Sequence, residues 1–228
     1  MTVVDQSTSK RPLVGQLLAM AIYLGFVGLA LWRWEEIGWG GLVWLAGSLM
    51  TSVIRAPYAK AITANTIVDD RQDTGEKILL AGMYLGMGLL PTVHLATGLF
   101  SFAEYHLPSW ATALGAALHV LFLWLFWRSH ADLGRNWSVT LEIRDEHELV
   151  THGVYTYIRH PMYAAIWLAA LAQPLLVPNW IAGCMVLVAF SAMYVVRAPR
   201  EEAMMRDKFG QAYDDYAQTT GRLLPRVI

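Results

Sequence analysis

The sequence predicts an all-α polytopic transmembrane helix bundle of about six spans, the last two a helical hairpin, followed by a cytoplasmic C-terminal amphipathic helix. Three observations predict it. The 228 residues are 56% hydrophobic and only 15% charged, against about 25% charged for soluble domains, so there is too little charge to coat a soluble surface. Apolar runs recur at the length a hydrocarbon core of roughly 30 Å demands, about 20 helical residues. Sixteen of the seventeen Lys and Arg residues fall in alternate connections. A net charge of -1 excludes a nucleic-acid binder held by a basic field. One cysteine, Cys184, allows no internal disulfide and sits in an apolar run, which suits a small core residue.

The first span is Leu13 to Trp32, entered through Lys10, Arg11 and Pro12. It is too long for a secretory signal and lacks a small-residue cleavage site, so it is expected to stay as an anchor. The tight turn Arg33 to Glu36 leads into the second span, Ile37 to Ile54. The third runs from Ile78 to Ala103, with a kink expected at Pro91, and the fourth from Trp110 to Trp127. Met162 to Val177 and Trp180 to Val196 are the fifth and sixth, turned by Pro178-Asn179. These boundaries divide the chain into a four-span region, 1–127, and a C-terminal region, 128–228, containing the hairpin 162–196 and a cytoplasmic helix 199–219.

By the positive-inside rule both termini and the two large polar segments, Arg55 to Lys77 and Arg128 to Arg159, are cytoplasmic. A multi-pass protein of a bacterial inner membrane is the expected setting. His94 and His119 lie inside spans; with no carboxylate in either run, they read as neutral histidines bonded to a neighbouring helix. The seven histidines show no i, i+4 pair and no cysteine partner, so no metal site is expected. Trp34, Trp39, Trp110, Trp127 and Trp180 near span ends read as interfacial belts.

Chemistry is expected where the two polar elements meet. The segment Arg128 to Tyr163 mixes charges, glycines and aromatics and runs into an apolar helix at Pro161, whose missing N–H suits a first turn. The N-terminal end of that helix is a seat for a carboxylate. After the sixth span, Pro199 permits a new helix, with Glu201 and Glu202 in its first turn and an apolar face of Met205, Phe209, Ala212, Tyr213 and Tyr216. Taken singly, Arg159 reads as a positive flank and the glutamates as a helix cap. A hairpin of the last two spans makes Arg159-His160 and Arg197 to Glu202 neighbours.

At these residues the chain resembles the integral-membrane methyltransferases that include isoprenylcysteine carboxyl methyltransferase and the phospholipid methyltransferases. The matching residues are His147, Leu149 to Thr151, Gly153, Tyr155, Arg159 to Pro161, Tyr163, Arg197, Pro199, Glu201, Glu202, Phe209, Gly210, Tyr213 and Tyr216. They cover about the last hundred residues; the first four spans match in hydropathy only. The resemblance implies that His147, Glu148, Leu149, Val150, Tyr155, His160, Pro161, Met162, Tyr163 and Glu201 bind S-adenosylmethionine (SAM). It implies that Arg197 faces the acceptor's polar head, with Glu202 and Arg159 beside it as catalytic residues, and that a lipid-like substrate enters from the bilayer. Ala165 departs from the family's usual glycine, which bears on pocket width.

The implied reaction is carboxyl O-methylation of an isoprenylcysteine-like acceptor. Phospholipid N-methylation is the next reading, and an amine acceptor would use an acid such as Glu202. An NADPH-dependent reductase of the sterol-reductase type is a further reading, on the ending Tyr213 to Pro225, and a non-catalytic lipid-binding protein would bind neither cofactor. No feature of the sequence fixes an oligomeric state.

Overall fold

The structure is a computed structural model that describes residues 13–62, 67–70, 73–134, 142–144 and 148–226. Its helices are α1 (Leu13–Trp32), α2 (Trp34–Ile62), α3 (Thr74–Tyr84), α4 (Leu90–Thr97), α5 (Ser109–Leu133), α6 (Pro161–Leu176), α7 (Met185–Phe209) and α8 (Gln211–Thr219). Helix α2 bends at Gly38, whose φ of 60° lies in the left-handed region. Trp34 to Ile37 therefore form one turn before the span proper, as the expected tight turn requires. A π-helical segment, Leu85–Leu89, joins α3 to α4. It lies just before Pro91, which has no N–H for the Met87 carbonyl. The Leu90 N–H bonds to the Leu85 carbonyl instead, so a wide turn absorbs the proline where a kink was expected.

Three helices, Trp34–Tyr58, Thr74–Thr97 and Ser109–Leu133, are long and apolar enough to cross a membrane, and Met20–Trp32 and Pro161–Leu176 are apolar but shorter. The connections sort cleanly between two ends of the bundle. At one end Arg33 donates to the His94 and Leu95 carbonyls. There, too, the Asn179 side-chain amide donates to the Phe100 carbonyl at 2.6 Å, and the Trp180 N–H bonds the Ala103 carbonyl. At the other end a two-stranded antiparallel ribbon pairs β1 (Ile67–Asp70) with β2 (Glu142–Arg144), and Arg200 meets Asp73 at 2.8 Å. The second, fourth and C-terminal polar segments thus share one charged face, as the Lys and Arg count predicts. The ribbon is an addition to the all-α expectation.

The hairpin turn is built by Asn179, fully buried, whose side-chain oxygen accepts from the Ile181 and Ala182 N–H groups at 2.9 Å each. It is longer than expected, and α7 begins at Met185. Helix α7 then runs without interruption through Pro199 to Phe209, which corrects the expected new helix at residue 199. Only the bond to the Val195 carbonyl is lost there, and a long helix packed on both sides tolerates one such loss. The break falls at Gly210, with φ 54°, and α8 follows.

Small residues let α5 and α6 approach closely. Ala165, Ala169 and Ala172 are buried against Phe122, Leu125 and Phe126 or the neighbouring cluster, and a Cβ on Gly115 would overlap Leu175. Ala165 packs in this seam and is absent from the cavity wall described below, so its methyl does not set the pocket width. The five tryptophans assigned to interfacial belts are all exposed.

Candidate functional site

A cavity of about 860 Å³ opens on the charged face and continues between α2, α3, α5, α6 and α7 into the apolar bundle. Its mouth is lined by Glu148, Leu149, Val150, Tyr155, Arg159, His160, Pro161, Met162, Tyr163, Arg197 and Glu201. All eleven are among the cofactor and catalytic residues expected at the site, drawn from two stretches of the sequence, 148–163 and 197–201. His147 lies outside the described residues. Tyr213 and Tyr216 of α8 and Met204 and Met205 of α7 complete the mouth.

Each wall is fixed by local chemistry. Gly153 has φ 61°, and a Cβ there would overlap the Asp132 carboxylate. Asp132 accepts from the Val154 N–H at 2.9 Å and pairs with Arg128 at 2.7 Å. This clasp holds the helical turn Gly153–Thr156 against the end of α5, and Tyr216 donates to the Tyr155 carbonyl at 2.6 Å from above. Helix α6 starts at Pro161, as expected. The Arg159 and His160 N–H groups, however, are taken by the Gly221 and Arg222 carbonyls. The C-terminal tail therefore narrows the predicted anion seat to the first-turn amides of Met162 and Tyr163, which have no carbonyl within the helix to reach.

The two adjacent glutamates separate. Glu201 lines the cavity, its carboxylate accepting from the Tyr163 hydroxyl at 2.6 Å. Glu202 does not reach the cavity: it is 1% exposed and accepts from Arg159 at 2.9 Å, His160 at 3.2 Å and Arg222 at 2.9 and 2.6 Å. Burial alone would raise the Glu202 carboxyl, but the hydrogen bonds from His160, Arg222 and Arg159 outweigh it and hold the group well below the usual carboxylate range. Arg159 is engaged likewise, with Glu202 and the Thr220 carbonyl at 2.6 Å. The expectation that Glu202 stands beside the acceptor is corrected by this placement, because its oxygens are already used in a clamp joining α6, α7 and the tail.

Arg197 lines the cavity wall one helical turn deeper than Glu201 and pairs with Glu76 at 3.6 Å. Glu76, 3% exposed, is a site residue the sequence reading missed. Its position two residues before the third apolar run puts it in the polar segment Arg55 to Lys77, whereas Asp73 caps α3 at the Glu76 N–H and starts the helix there. Around the mouth, burial pushes the Tyr155 phenol well above its ordinary range, with the Glu201 charge adding to the effect, and burial lifts Tyr216 to about 12. Both phenols are therefore neutral donors. Among the described residues no group of three or more His, Cys, Asp or Glu side chains is placed to hold a metal ion.

The donor set fits SAM. A cationic cofactor with polar ends calls for a carboxylate, aromatic faces and helix-start amides, here Glu201, the stacked His160 and Tyr163 rings at 5.3 Å, and Met162 with Tyr163.

Comparison with known proteins agrees with the resemblance seen in the sequence. Residues 113–207 match the model of the isoprenylcysteine carboxyl methyltransferase (ICMT) family. A probable protein-S-isoprenylcysteine O-methyltransferase of Oryza sativa subsp. indica is 31% identical over 96 residues, 41% of this chain and 50% of that protein. Protein-S-isoprenylcysteine O-methyltransferase A of Arabidopsis thaliana is 24% identical over 181 residues, 78% of this chain and 92% of that protein. A solved structure of the eukaryotic intramembrane Ras methyltransferase ICMT is 22% identical, with a TM-score of 0.48, covering 81% of this chain and 62% of that one. The matched stretch spans half the length of the rice relative.

Proposed function

We propose that this chain is an integral membrane SAM-dependent methyltransferase that methylates the carboxylate of an isoprenylcysteine-like lipid, with its charged face and both termini cytoplasmic. The observation that carries the reading is the single cavity, polar at Glu201 and Arg197 and apolar within the bundle, which can take a water-soluble donor and a membrane-dissolved acceptor together. Similarity to the isoprenylcysteine methyltransferases supports the acceptor class.

When bound, SAM supplies a methyl group on a sulfonium, and its transfer is an in-line displacement governed by positioning and exclusion of water. Glu201, steadied by Tyr163, holds the cofactor's cationic or hydroxyl end, and Met162 and Tyr163 amides receive its carboxylate. Arg197 orients the acceptor carboxylate, and Glu76 fixes the direction of the guanidinium. A carboxylate is already ionised at neutral pH and needs no base. An ammonium acceptor would have to lose a proton first, and Glu202, the acid it would use, is committed to Arg159, His160 and Arg222. The site thus favours carboxyl over phospholipid amine methylation.

The test is transfer of radiolabelled methyl from SAM to a synthetic farnesylcysteine analogue against total membrane lipid, with the protein in detergent. Label in the farnesylcysteine analogue, released by mild base as expected of a methyl ester, is the expected result. Label in phospholipid headgroups, or binding of NADPH in place of SAM, would overturn it.

A further inference from the structure

The deep end of the cavity carries a histidine that chemistry at the mouth does not use. His119, on α5, is 5% exposed and lines the cavity. Neither of its ring nitrogens has a hydrogen-bond partner, contrary to the bond with a neighbouring helix expected from the sequence. A neutral imidazole carries one N–H donor and one acceptor, and the large majority of buried side-chain polar atoms have a hydrogen-bond partner.

The polar groups around it are satisfied among themselves. Trp44 donates to the Gln173 side-chain oxygen at 3.3 Å, and Gln173 donates to the Gly86 and Ala182 carbonyls. Tyr23 pairs with Ser48 at 3.1 Å, and Ser48 donates to the Leu45 carbonyl. Nor can the ring swing freely to a partner. It fills a notch on α2 that exists because residue 47 is glycine, since a Cβ there would overlap the ring, and Phe122 packs edge-on at 5.3 Å. Its depth is set by the helix: Leu133 and His119 both line the cavity, and the stretch of α5 between them is about 21 Å long.

We propose that His119 selects the acceptor's tail: the lipid that fills this cavity bears an oxygen function, a hydroxyl or carbonyl, on the part of its tail that reaches the deep end of the cavity. The imidazole bonds that oxygen. An unbroken hydrocarbon tail leaves both nitrogens bare. This rests on the acceptor reading above and deepens it.

The test compares N-acetyl-S-farnesylcysteine with the same molecule hydroxylated on its terminal isoprene unit. Binding of each to the detergent-solubilised protein is measured calorimetrically beside the Kd for SAM. The hydroxylated analogue is expected to bind about tenfold tighter, the scale of one buried hydrogen bond. In His119→Leu the ratio falls to near one while the SAM Kd holds, and His119→Gln, which keeps a donor and an acceptor, retains part of it. Gly47→Ala, which displaces the ring, lowers the ratio too and serves if the leucine variant does not fold. A wild-type ratio near one, a ratio unchanged in these variants, or binding of neither analogue overturns the assignment. Failure of the wild type to bind SAM would instead sink the methyltransferase reading, leaving the analogue ratio to decide the role of His119.

Discussion

Replacing Glu202 by Gln separates a clamp from a catalyst. The carboxylate is 1% exposed and accepts hydrogen bonds from three side chains. An amide of the same shape keeps one oxygen and turns a donor toward guanidinium groups that are themselves donors. Arg222 is 47% exposed, so water can take over much of its lost bond, whereas Arg159 is 13% exposed and His160 is buried. Counting only those two, at about 1.5 to 3 kcal/mol for each charge-assisted bond, the loss is about 3 to 6 kcal/mol. That corresponds to a drop of roughly 10 °C in the thermal midpoint for a chain of this size, read by intrinsic fluorescence in detergent at pH 7. Because the folded carboxyl is held below its unfolded value of about 4.3, its contribution is fully present above that pH and is lost as pH falls through the folded value. The wild-type midpoint should therefore be steady from pH 7 to about 5 and fall in more acid solution, and the Gln variant should show less of that fall. A Gln variant that melts within about 1 °C of wild type yet transfers no methyl would refute the reasoning, because Glu202 would then act in the chemistry.

Glu201→Ala should show the opposite pattern: the carboxylate facing the cavity goes, SAM binding weakens by about tenfold or more as for one charge-assisted contact, and the melting point moves little; calorimetric titration checks it. Gly153→Ala must place a Cβ on a residue at φ 61° and against Asp132, a loss of about 2 kcal/mol or more. Circular dichroism melts would show it, together with weaker SAM binding through the displaced Tyr155. Asn179→Ala removes one donor and two acceptor bonds from a fully buried turn, about 2 to 3 kcal/mol. Because the turn lies at the far end of the bundle, the SAM Kd should stay within twofold of wild type at a temperature where both are folded.

The sidedness of the bundle was legible because it rests on counts. Apolar runs of spanning length and a one-sided Lys and Arg distribution require the segments around Asp73, β2 and Arg200 to lie together, as their contacts show. The meeting of Arg159 with the start of the polar part of α7 followed from the hairpin alone. What failed was detail that depends on partners distant in sequence. Nothing near Glu202 announces Arg222, twenty residues on, as its ligand, nor does anything near Arg197 announce Glu76. The run around His119 holds no carboxylate and on its own predicts a neutral side chain bonded to a neighbouring helix. Its state is set instead by Gly47 and the cavity, neither visible without the packing.

Pro199 is where a local rule gave the wrong element and the correct element explains the site. On an unbroken helix Met193, Arg197, Glu201 and Met205 follow at intervals of four and drift slowly around the axis, so they make one stripe along the cavity wall. Glu202, about 100° further round, faces the start of α6 and the tail. A helix restarting at residue 199 would reset that phase, and nothing would then dictate that Arg197 and Glu201 share a wall while Glu202 does not. Continuity through Pro199 removes one backbone hydrogen bond and makes the depth of the membrane and the charged mouth parts of a single surface. A change that restores the lost N–H, Pro199→Ala, leaves this stripe in phase, whereas deleting Ala198 would turn Glu202 toward the cavity and Glu201 away from it.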